Sequence, residues 1–316
     1  MGLKTVVLNS ERMNYDGKLD LSVLSSEVKE YASTEQDQIL ERVQGMDVVV
    51  TKEMPVDGDT IARFPDSVQL ICEAGTGYNN IDIEAARVRG ITVCNIPAYS
   101  TERVAHTAIM MILNLSSSMQ IQQAMLARGD RSNFTKCMQV SHVEVNGKVL
   151  GVVGAGTIGR EVIKVAQALG MKVLAYTRTP RADEDNLKYV SLEELLKQSD
   201  YISLHCPLTP QTRHMINKET IAMMKPTAYI INTGRGALID EPALIEALKE
   251  GRIAGAGLDV QETEPPVQNN PLYDMPNVIL TPHMGWKGLE TRQRLVSILA
   301  ANIQAFDEGR PQNVVS

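Results

Sequence analysis

Short apolar runs alternate with helical patterns along nearly the whole chain, and this alternation leaves few folds open. The runs are apolar throughout, which is typical of strands that helices cover on both faces of a sheet. We expect strands at residues 5–8, 48–51, 70–74, 92–95, 149–153, 172–176, 201–204, 228–232, 257–260 and 278–281, and helices at residues 81–89, 158–169, 192–198 and 242–249. The sequence therefore predicts an α/β protein with doubly wound parallel sheets.

Two segments are typical of crossings between domains, and 316 residues give room for two domains. In residues 96–100 (Ile-Pro-Ala-Tyr-Ser) a strand ends, a proline intervenes and a serine can cap a helix. We expect that helix to be long and apolar, from residue 101 to about residue 127. The second crossing, residues 282–288, precedes a last helix at residues 289–307. The predicted domains are a discontinuous substrate domain, residues 1–98 plus 287–316, and a dinucleotide-binding domain, residues 99–286.

A glycine motif lies between the predicted strand at residues 149–153 and the helix that follows it. Residues 154–159 read Gly-Ala-Gly-Thr-Ile-Gly, a GxGxxG pattern in strand-turn-helix context. The first glycine makes the turn, the second lets a pyrophosphate approach the backbone, and the third lets helix and strand pack closely. The pyrophosphate would lie at the positive end of the helix. The motif therefore predicts a dinucleotide cofactor.

The residue that discriminates between NAD and NADP follows the next predicted strand. An acidic residue at this position binds the adenine ribose hydroxyls, but this chain has Thr177, with Arg178 and Arg181 close behind. Without a carboxylate there is no repulsion against a 2′-phosphate, and an arginine can pair with one. Alternatively, Pro180 turns the loop so that both arginines face solvent and NAD is used. We expect both cofactors to be used, with a modest preference for NADPH.

Four further segments each follow an apolar run. Because ligands bind beyond the carboxyl ends of strands in α/β sheets, we expect these segments to converge on one cleft. They are residues 73–80 (Glu-Ala-Gly-Thr-Gly-Tyr-Asn-Asn), 232–236 (Asn-Thr-Gly-Arg-Gly), 257–260 (Gly-Leu-Asp-Val) with Glu264-Pro265, and 281–283 (Thr-Pro-His).

These residue types suit the reduction of a keto acid. His283 is the histidine beside the predicted cleft with an acidic partner nearby, so we assign it as general acid/base. Its partner, which would stabilise the imidazolium, is Glu262 or Glu264, and the sequence alone does not choose between them. Arg235 offers a planar fork to the substrate carboxylate and polarises the carbonyl. The backbone N–H groups of Gly75, Thr76 and Gly77 can cradle the same carboxylate.

The order and spacing of these segments resemble those of the D-isomer-specific 2-hydroxyacid dehydrogenases over essentially the whole chain. The series Arg235, Glu264 and His283 is more specific than the glycine motif, and the family's Glu-Pro match selects Glu264. Residues 75–105 and Trp286 are similar to the glycerate dehydrogenase and hydroxypyruvate reductase branch. The resemblance implies two Rossmann-like domains with a cleft between them, and a homodimer formed mainly through the long helix after the first crossing.

The resemblance also implies roles for individual residues. Asp259 would hold the nicotinamide carboxamide, Thr233 would lie near the same ring, and the loop after His205 would border the cofactor. Trp286 would contact the substrate, and side-chain selectivity would depend on a pocket near Lys52, Glu53, Tyr78 and Trp286. The implied cofactor contacts are Val104, Gly154, Gly156, Thr157, Ile158, Gly159, Thr177, Arg178, His205, Pro207, Thr212, Thr233, Gly234, Asp259 and His283.

The other histidines have structural interpretations. His106 lies in an apolar helical pattern, so we expect it to be packed, whereas His142 and His214 lie in loop-like segments and are expected to be solvated.

Charge and cysteine content restrict the partners. The net charge is -7 with no long basic run, so we expect neither nucleic acid nor membrane as a partner. The four cysteines form no CxxC pair and no metal-spaced cluster, so we expect no metal. The first residues lack the layout of a signal peptide. Together these features predict a reducing, cytoplasmic compartment.

The sequence thus predicts an oxidoreductase that transfers hydride between NAD(P)(H) and a small 2-keto or D-2-hydroxy acid, similar to hydroxypyruvate or glyoxylate reductases. A phosphoglycerate dehydrogenase is an alternative, although no C-terminal regulatory domain follows Ser316. Formate dehydrogenase fits poorly, because its histidine is characteristically paired with glutamine. The alternative from another class is a nucleotide-sensing scaffold similar to transcriptional co-repressors.

Overall fold

The computed structural model of the chain describes residues 2–179 and 181–316. The chain forms two compact units: Met1–Ser100 with Trp286–Ser316 (unit 1), and Thr101–Gly285 (unit 2). Pro180, to which the sequence assigned a turn, lies outside the described residues.

The α/β fold with parallel sheets expected from the sequence is confirmed. The strands are β1 (Lys4–Val7), β2 (Glu27–Glu30), β3 (Val48–Thr51), β4 (Leu70–Glu73), β5 (Thr92–Cys94), β6 (Val149–Val153), β7 (Lys172–Tyr176), β8 (Leu187–Tyr189), β9 (Tyr201–Leu204), β10 (Tyr229–Asn232), β11 (Gly255–Leu258) and β12 (Val278–Leu280). The helices are α1 (Glu11–Asn14), α2 (Ile39–Arg42), α3 (Gly58–Ala62), α4 (Ile83–Val88), α5 (Thr101–Ser116), α6 (Met119–Ala127), α7 (Ser132–Thr135), α8 (Thr157–Ala168), α9 (Leu192–Gln198), α10 (Lys218–Ile221), α11 (Glu241–Lys249) and α12 (Leu289–Asp307). Short 3₁₀ turns occupy Ser22–Leu24, Gln36–Gln38, Gly236–Leu238 and Pro271–Asp274.

Unit 1 contains a parallel sheet in the order β2-β1-β3-β4-β5. Alternate strand residues face opposite sides, because successive side chains of a strand point to opposite faces. Val7, Leu70 and Cys72 pack with α12, whereas Val6 and Val49 belong to a core on the other face. The strand order reverses between β1 and β3, and α/β sheets bind ligands at the carboxyl ends of the strands at such a reversal.

Unit 2 contains a parallel sheet in the order β12-β11-β10-β9-β6-β7-β8. Leu150 and Val152 pack with α5 and α8, and Val153 and Leu204 belong to the core that includes α9, α10 and α11. The strand order reverses between β6 and β9, so the glycine motif that follows β6 lies at this reversal.

The single long helix predicted for residues 101–127 is wrong. The structure has two helices there, α5 and α6, and Ser118 between them adopts a left-handed conformation with φ of 47°. Serine side chains compete with the helical backbone for hydrogen bonds. Ser116 Oγ donates to the Leu113 carbonyl at 2.9 Å, and Ser118 Oγ donates to the Ser141 carbonyl at 2.7 Å. The three consecutive serines therefore end the first helix.

Two edge strands escaped the sequence analysis. β2 reads Glu-Val-Lys-Glu and is largely exposed, so it shows no apolar run. β8 has three residues. Short, charged edge strands are a common protection against edge-to-edge pairing, and they carry little apolar signal. Among the described residues, no helix is both long and apolar enough to cross a membrane.

Candidate active site

The glycine motif forms a tight turn whose three glycines have different surroundings. Gly154 has φ of +99°, and a Cβ added there would lie 2.6 Å from the peptide nitrogen of Cys206. A Cβ on Gly159 would lie 2.1 Å from the Gly154 carbonyl oxygen. A Cβ on Gly156 would have no atom within 4 Å, so this glycine faces open space. The first and third glycines therefore serve packing, and the second leaves the backbone open to a ligand.

The same turn presents the N-terminus of a helix. Gly156 is the N-cap residue of the 12-residue helix α8, and it offers no side chain to the first-turn N–H groups. Such N–H groups carry partial positive charge and attract phosphate. The open backbone at Gly156 and this uncapped helix end together fit the pyrophosphate of a dinucleotide.

The end of β7 lacks a carboxylate at the position that binds ribose hydroxyls. Thr177 is half-buried there, and its hydroxyl donates to the Thr179 carbonyl at 2.7 Å. Arg178 and Arg181 are exposed, and neither forms an ion pair with a described residue. The nearby Glu184 is held by Arg160 at 3.0 Å, so its charge is already paired.

The loop after β9 is organised by its own hydrogen bonds. His205 Nε2 contacts Ser203 Oγ at 2.8 Å, and burial lowers the pKa of His205 to about 4. The ring is therefore neutral at pH 7, so His205 is suited to lining a cofactor site and not to donating a proton. Thr212 Oγ1 donates to the Pro207 carbonyl at 2.7 Å and closes the loop.

Asp259 holds the segment that carries the candidate acid/base. Its buried carboxylate accepts hydrogen bonds from Thr281 Oγ1 at 2.6 Å and from the backbone N–H groups of Met284 and Gly285 at 2.8 Å each. A Cβ on Gly285 would lie 2.8 Å from the same carboxylate. Val104, at the start of α5, packs beside Gly285. Asp259 is thus the anchor of the loop after β12.

His283 and Glu264 form a hydrogen-bonded pair. His283 Nδ1 lies 2.8 Å from Glu264 Oε2, with side-chain exposures of 24% and 38%. Glu264 Oε1 accepts the backbone N–H of Gln261 at 3.1 Å, which orients the carboxylate. His283 itself has φ of 48°, a left-handed conformation that is uncommon for non-glycine residues and recurs at active sites. The pairing leaves Nε2 as the ring nitrogen that can serve a substrate.

Glu262, the other acid that the sequence allowed, belongs to a different cluster. It lies 2.6 Å from His214 Nε2 and 3.1 Å from Arg213. His214 has a side chain that is 35% exposed, and it is also paired with Glu262, which the sequence did not predict. His106, expected to be packed, is exposed on α5. The pairing of His214 could not be predicted, because sequence periodicity does not reveal which loop lies opposite a side chain.

Arg235 lies on a turn that packs against the loop of Glu264. A Cβ on Gly236 would lie 1.8 Å from the Gln261 carbonyl oxygen, so only glycine permits this contact. The buried side chain of Asn232 donates to the Arg235 carbonyl at 2.9 Å and fixes the turn, a role that the sequence analysis missed. The guanidinium donates one bond, to the Gly234 carbonyl at 2.9 Å, and pairs with no carboxylate of the described residues. Its fork can therefore bind an anion.

Thr233, next to this turn, carries an unsatisfied hydroxyl. Its side chain is buried, and Oγ1 has no hydrogen-bond partner among residues 2–179 and 181–316. A buried polar atom of this kind costs free energy unless a ligand or water completes it. The carboxyl end of β10 therefore fits a polar group such as a nicotinamide.

In unit 1, the turn after β4 presents free backbone donors. The Gly75 carbonyl accepts from the Ile96 N–H at 2.9 Å, and Thr76 is held by Asn95 Nδ2 at 2.7 Å and by its own hydroxyl bond to Ile96. The peptide N–H groups of Gly75, Thr76 and Gly77 have no acceptor in the described part of the chain. Three consecutive free N–H groups can cradle a carboxylate.

Comparison with known proteins gives a consistent result. Residues 109–285 match the family model "D-isomer specific 2-hydroxyacid dehydrogenase, NAD binding domain". The chain is 42% identical to the glycerate dehydrogenase of Methylorubrum extorquens over 294 residues, which cover 92% of each chain. It is 40% identical to the hydroxypyruvate reductase of Blautia hydrogenotrophica over 287 residues, 90% of this chain and 89% of that one. A glyoxylate reductase structure from Paecilomyes thermophila superposes with a TM-score of 0.85 at 32% identity, covering 99% of this chain and 98% of that chain.

Proposed function

Because the chain belongs to the D-isomer-specific 2-hydroxyacid dehydrogenases, we propose that it reduces a small 2-keto acid to the D-2-hydroxy acid with NADH or NADPH. Hydroxypyruvate and glyoxylate are the first substrates to test, because relatives of about 40% identity are named for reductases of these acids. The observation that carries the proposal is the contact of 2.8 Å between His283 Nδ1 and Glu264 Oε2, next to the loop of Arg235.

The residues of unit 2 supply the proton chemistry in this proposal. A nicotinamide held by Thr233 and Asp259 would supply the hydride for the carbonyl carbon. His283 donates a proton from Nε2 to the carbonyl oxygen, while Glu264 stabilises the imidazolium through Nδ1. Arg235 binds the substrate carboxylate with its free fork and polarises the carbonyl. In the reverse direction, neutral His283 removes the proton from the hydroxyl group.

We assign unit 2 to the dinucleotide and unit 1 to the substrate. The glycine turn, the 205–212 loop and the unsatisfied Thr233 hydroxyl support the first assignment. The free N–H groups of residues 75–77 support the second, and we propose that they bind the substrate carboxylate. Asp259 serves the nicotinamide carboxamide with the lone pairs that its loop bonds leave free.

For the cofactor, we propose a modest preference for NADPH. The support is the absence of a carboxylate at Thr177 and the exposed positive charge of Arg178 and Arg181 beside it. An exposed contact between a charged donor and phosphate is worth about 1–3 kcal/mol, so the preference is about one to two orders of magnitude at most.

We also propose a homodimer joined mainly by residues 101–127, which form α5 and α6. Exposed apolar side chains lie on α5, on α6 and on the residues that follow, namely Leu113, Met119, Leu126, Phe134 and Met138, with Phe134 exposed to 74%. Apolar side chains of this number on one segment are typical of an interface. Light scattering at micromolar concentration should give a dimer, and a monomer would contradict the proposal.

The free cysteines, two of them buried, support a reducing cytoplasmic location.

The decisive experiment is an NAD(P)H oxidation assay with hydroxypyruvate, glyoxylate and pyruvate. We expect turnover of at least one acid, a D product, and near-complete loss of turnover in His283→Ala. Nucleotide binding without turnover of any 2-keto acid would reject the enzyme and favour the nucleotide-sensing scaffold.

A further inference from the structure

A buried lysine lies at the strand-order reversal of unit 1. Lys52 follows β3 directly, and its side chain is 2% exposed. Asn9, which follows β1, donates to the Lys52 carbonyl at 2.6 Å and accepts its N–H at 2.9 Å. These two hydrogen bonds join the segments that follow the neighbouring strands β1 and β3, and they fix the backbone of the lysine. Burying an ammonium is costly, so a fixed buried lysine needs partners.

The protein satisfies only part of the ammonium. Lys52 Nζ forms an ion pair with Glu53 and lies 4.1 Å from the ring centroid of Trp286. An ammonium has three N–H donors, of which the carboxylate and the ring face take two. No further oxygen of the described residues accepts the third.

A second unsatisfied donor belongs to the same contact. Trp286 is 5% exposed, and its Nε1 has no hydrogen-bond partner in the described residues. A buried N–H without an acceptor costs free energy that a bound oxygen would recover. Lys52 and Trp286, which are in contact, thus each carry a donor without an acceptor among the described residues.

This place adjoins the backbone donors of the turn after β4. A Cβ on Gly75 would lie 3.3 Å from Lys52 Nζ and 3.2 Å from Glu73 Oε1. Glu73 is fully buried, and burial raises its pKa. Its carboxyl group accepts bonds from Thr51 Oγ1 and Asn80 Nδ2. Glu53 therefore offsets the charge of the lysine, which makes the position better suited to a neutral oxygen than to a second anion.

We propose that Lys52 Nζ and Trp286 Nε1 donate to a hydroxyl oxygen on C3 of the substrate and thereby select three-carbon 2-keto acids that carry this group. The inference rests on the proposed function, in which the N–H groups of residues 75–77 bind the carboxylate. The methyl group of pyruvate leaves both donors unpaired. A C3 phosphate or carboxylate would meet the charge of Glu53.

The test compares kcat/KM for hydroxypyruvate and for pyruvate in four proteins: wild type, Lys52→Met, Trp286→Phe and Lys29→Met. Lys29 is the matched control, because it also lies over an aromatic ring, 5.2 Å from the centroid of Tyr31, but is exposed on the edge strand β2. A site built to bond a hydroxyl discriminates strongly against an analogue without it. We expect wild type to favour hydroxypyruvate by about 100-fold or more.

Lys52→Met should lower this ratio by about 10- to 100-fold, and Trp286→Phe by about 3- to 10-fold, whereas Lys29→Met should leave it unchanged. Trp286→Phe keeps a ring beside the lysine, so the result does not depend on the folding of Lys52→Met. If the Lys52 and Trp286 variants lose kcat/KM equally for hydroxypyruvate and pyruvate, so that the ratio is unchanged, the two residues are structural and the inference is overturned. Absence of turnover by wild type with either acid would instead reject the proposed function, and the inference with it.

Discussion

Replacement of Glu264 by glutamine tests the assigned proton donor. The Glu264 carboxylate lies 2.8 Å from His283 Nδ1, and its other oxygen accepts a hydrogen bond from the Gln261 N–H. A pair of charges about 4 Å apart interacts with about 4 kcal/mol at an effective dielectric constant of 20 and about 1 kcal/mol in water. Because Glu264 is 38% exposed, solvent screening moves the energy toward the lower limit. About 1.4 kcal/mol corresponds to one pH unit.

The direction follows from which form of His283 reacts. Reduction needs the protonated ring, so the reductive rate falls as pH rises and the proton is lost. An amide has one acceptor oxygen and no charge, so whichever contact the introduced side chain keeps, the imidazolium loses stabilisation. We therefore expect the reductive kcat/KM profile to move to lower pH by about one unit, and the oxidative profile to move the same way. Profiles of kcat/KM against pH for both proteins in both directions measure this, and superimposable curves would refute the pairing.

His283→Ala should lower kcat by about two to four orders of magnitude, whereas Arg235→Ala should both raise KM and lower kcat; steady-state kinetics separates the two patterns. Thr177→Asp should reverse the cofactor preference in kcat/KM, and a wild-type preference for NADH of tenfold or more would contradict our view of this loop. Arg292 bonds Asp16 at 2.7 Å and lowers the pKa of that carboxyl to about 2. The folding stability that comes from this lowered pKa is present at pH values above the ordinary pKa of aspartate, and it is lost as the pH falls toward 2. The melting temperature of Arg292→Met should therefore be lower than that of wild type at pH 7, and the difference should be smaller near pH 2. Equal melting temperatures at pH 7 would show that the ion pair does not stabilise the fold.

Periodicity and glycine chemistry predicted most of the framework. The strands of unit 2 are buried on both faces, and for β6, β7 and β9 their apolar runs predicted the bounds that the structure has. The choice between Glu262 and Glu264 needed more than sequence, because both acids lie in one loop and only the fold shows that Glu262 faces His214. Spacing along the sequence could not reveal this pairing, since Glu262 and His214 are 48 residues apart.

Backbone conformations at the site were also beyond the sequence. Nothing in the residue type marks His283 for a left-handed conformation, because φ of 48° is imposed by the loop around it. The causes are visible in the structure: the His283 N–H bonds the Asp259 carbonyl at 2.8 Å, and the Asp259 side chain holds the two residues that follow. The family resemblance assigned Asp259 to ligand binding, and its observed contacts show that it also fixes the loop after β12.

The three candidate catalytic side chains follow three strands that are neighbours in the sheet. Arg235 follows β10, Glu264 follows β11 and His283 follows β12, and the sheet order is β12-β11-β10. Parallel strands bring all their carboxyl ends to one edge, so adjacency in the sheet places the loops side by side. Gly236 then joins the first loop to the second, and Asp259 joins the second to the third. The arrangement of the three side chains is therefore built from contacts inside unit 2.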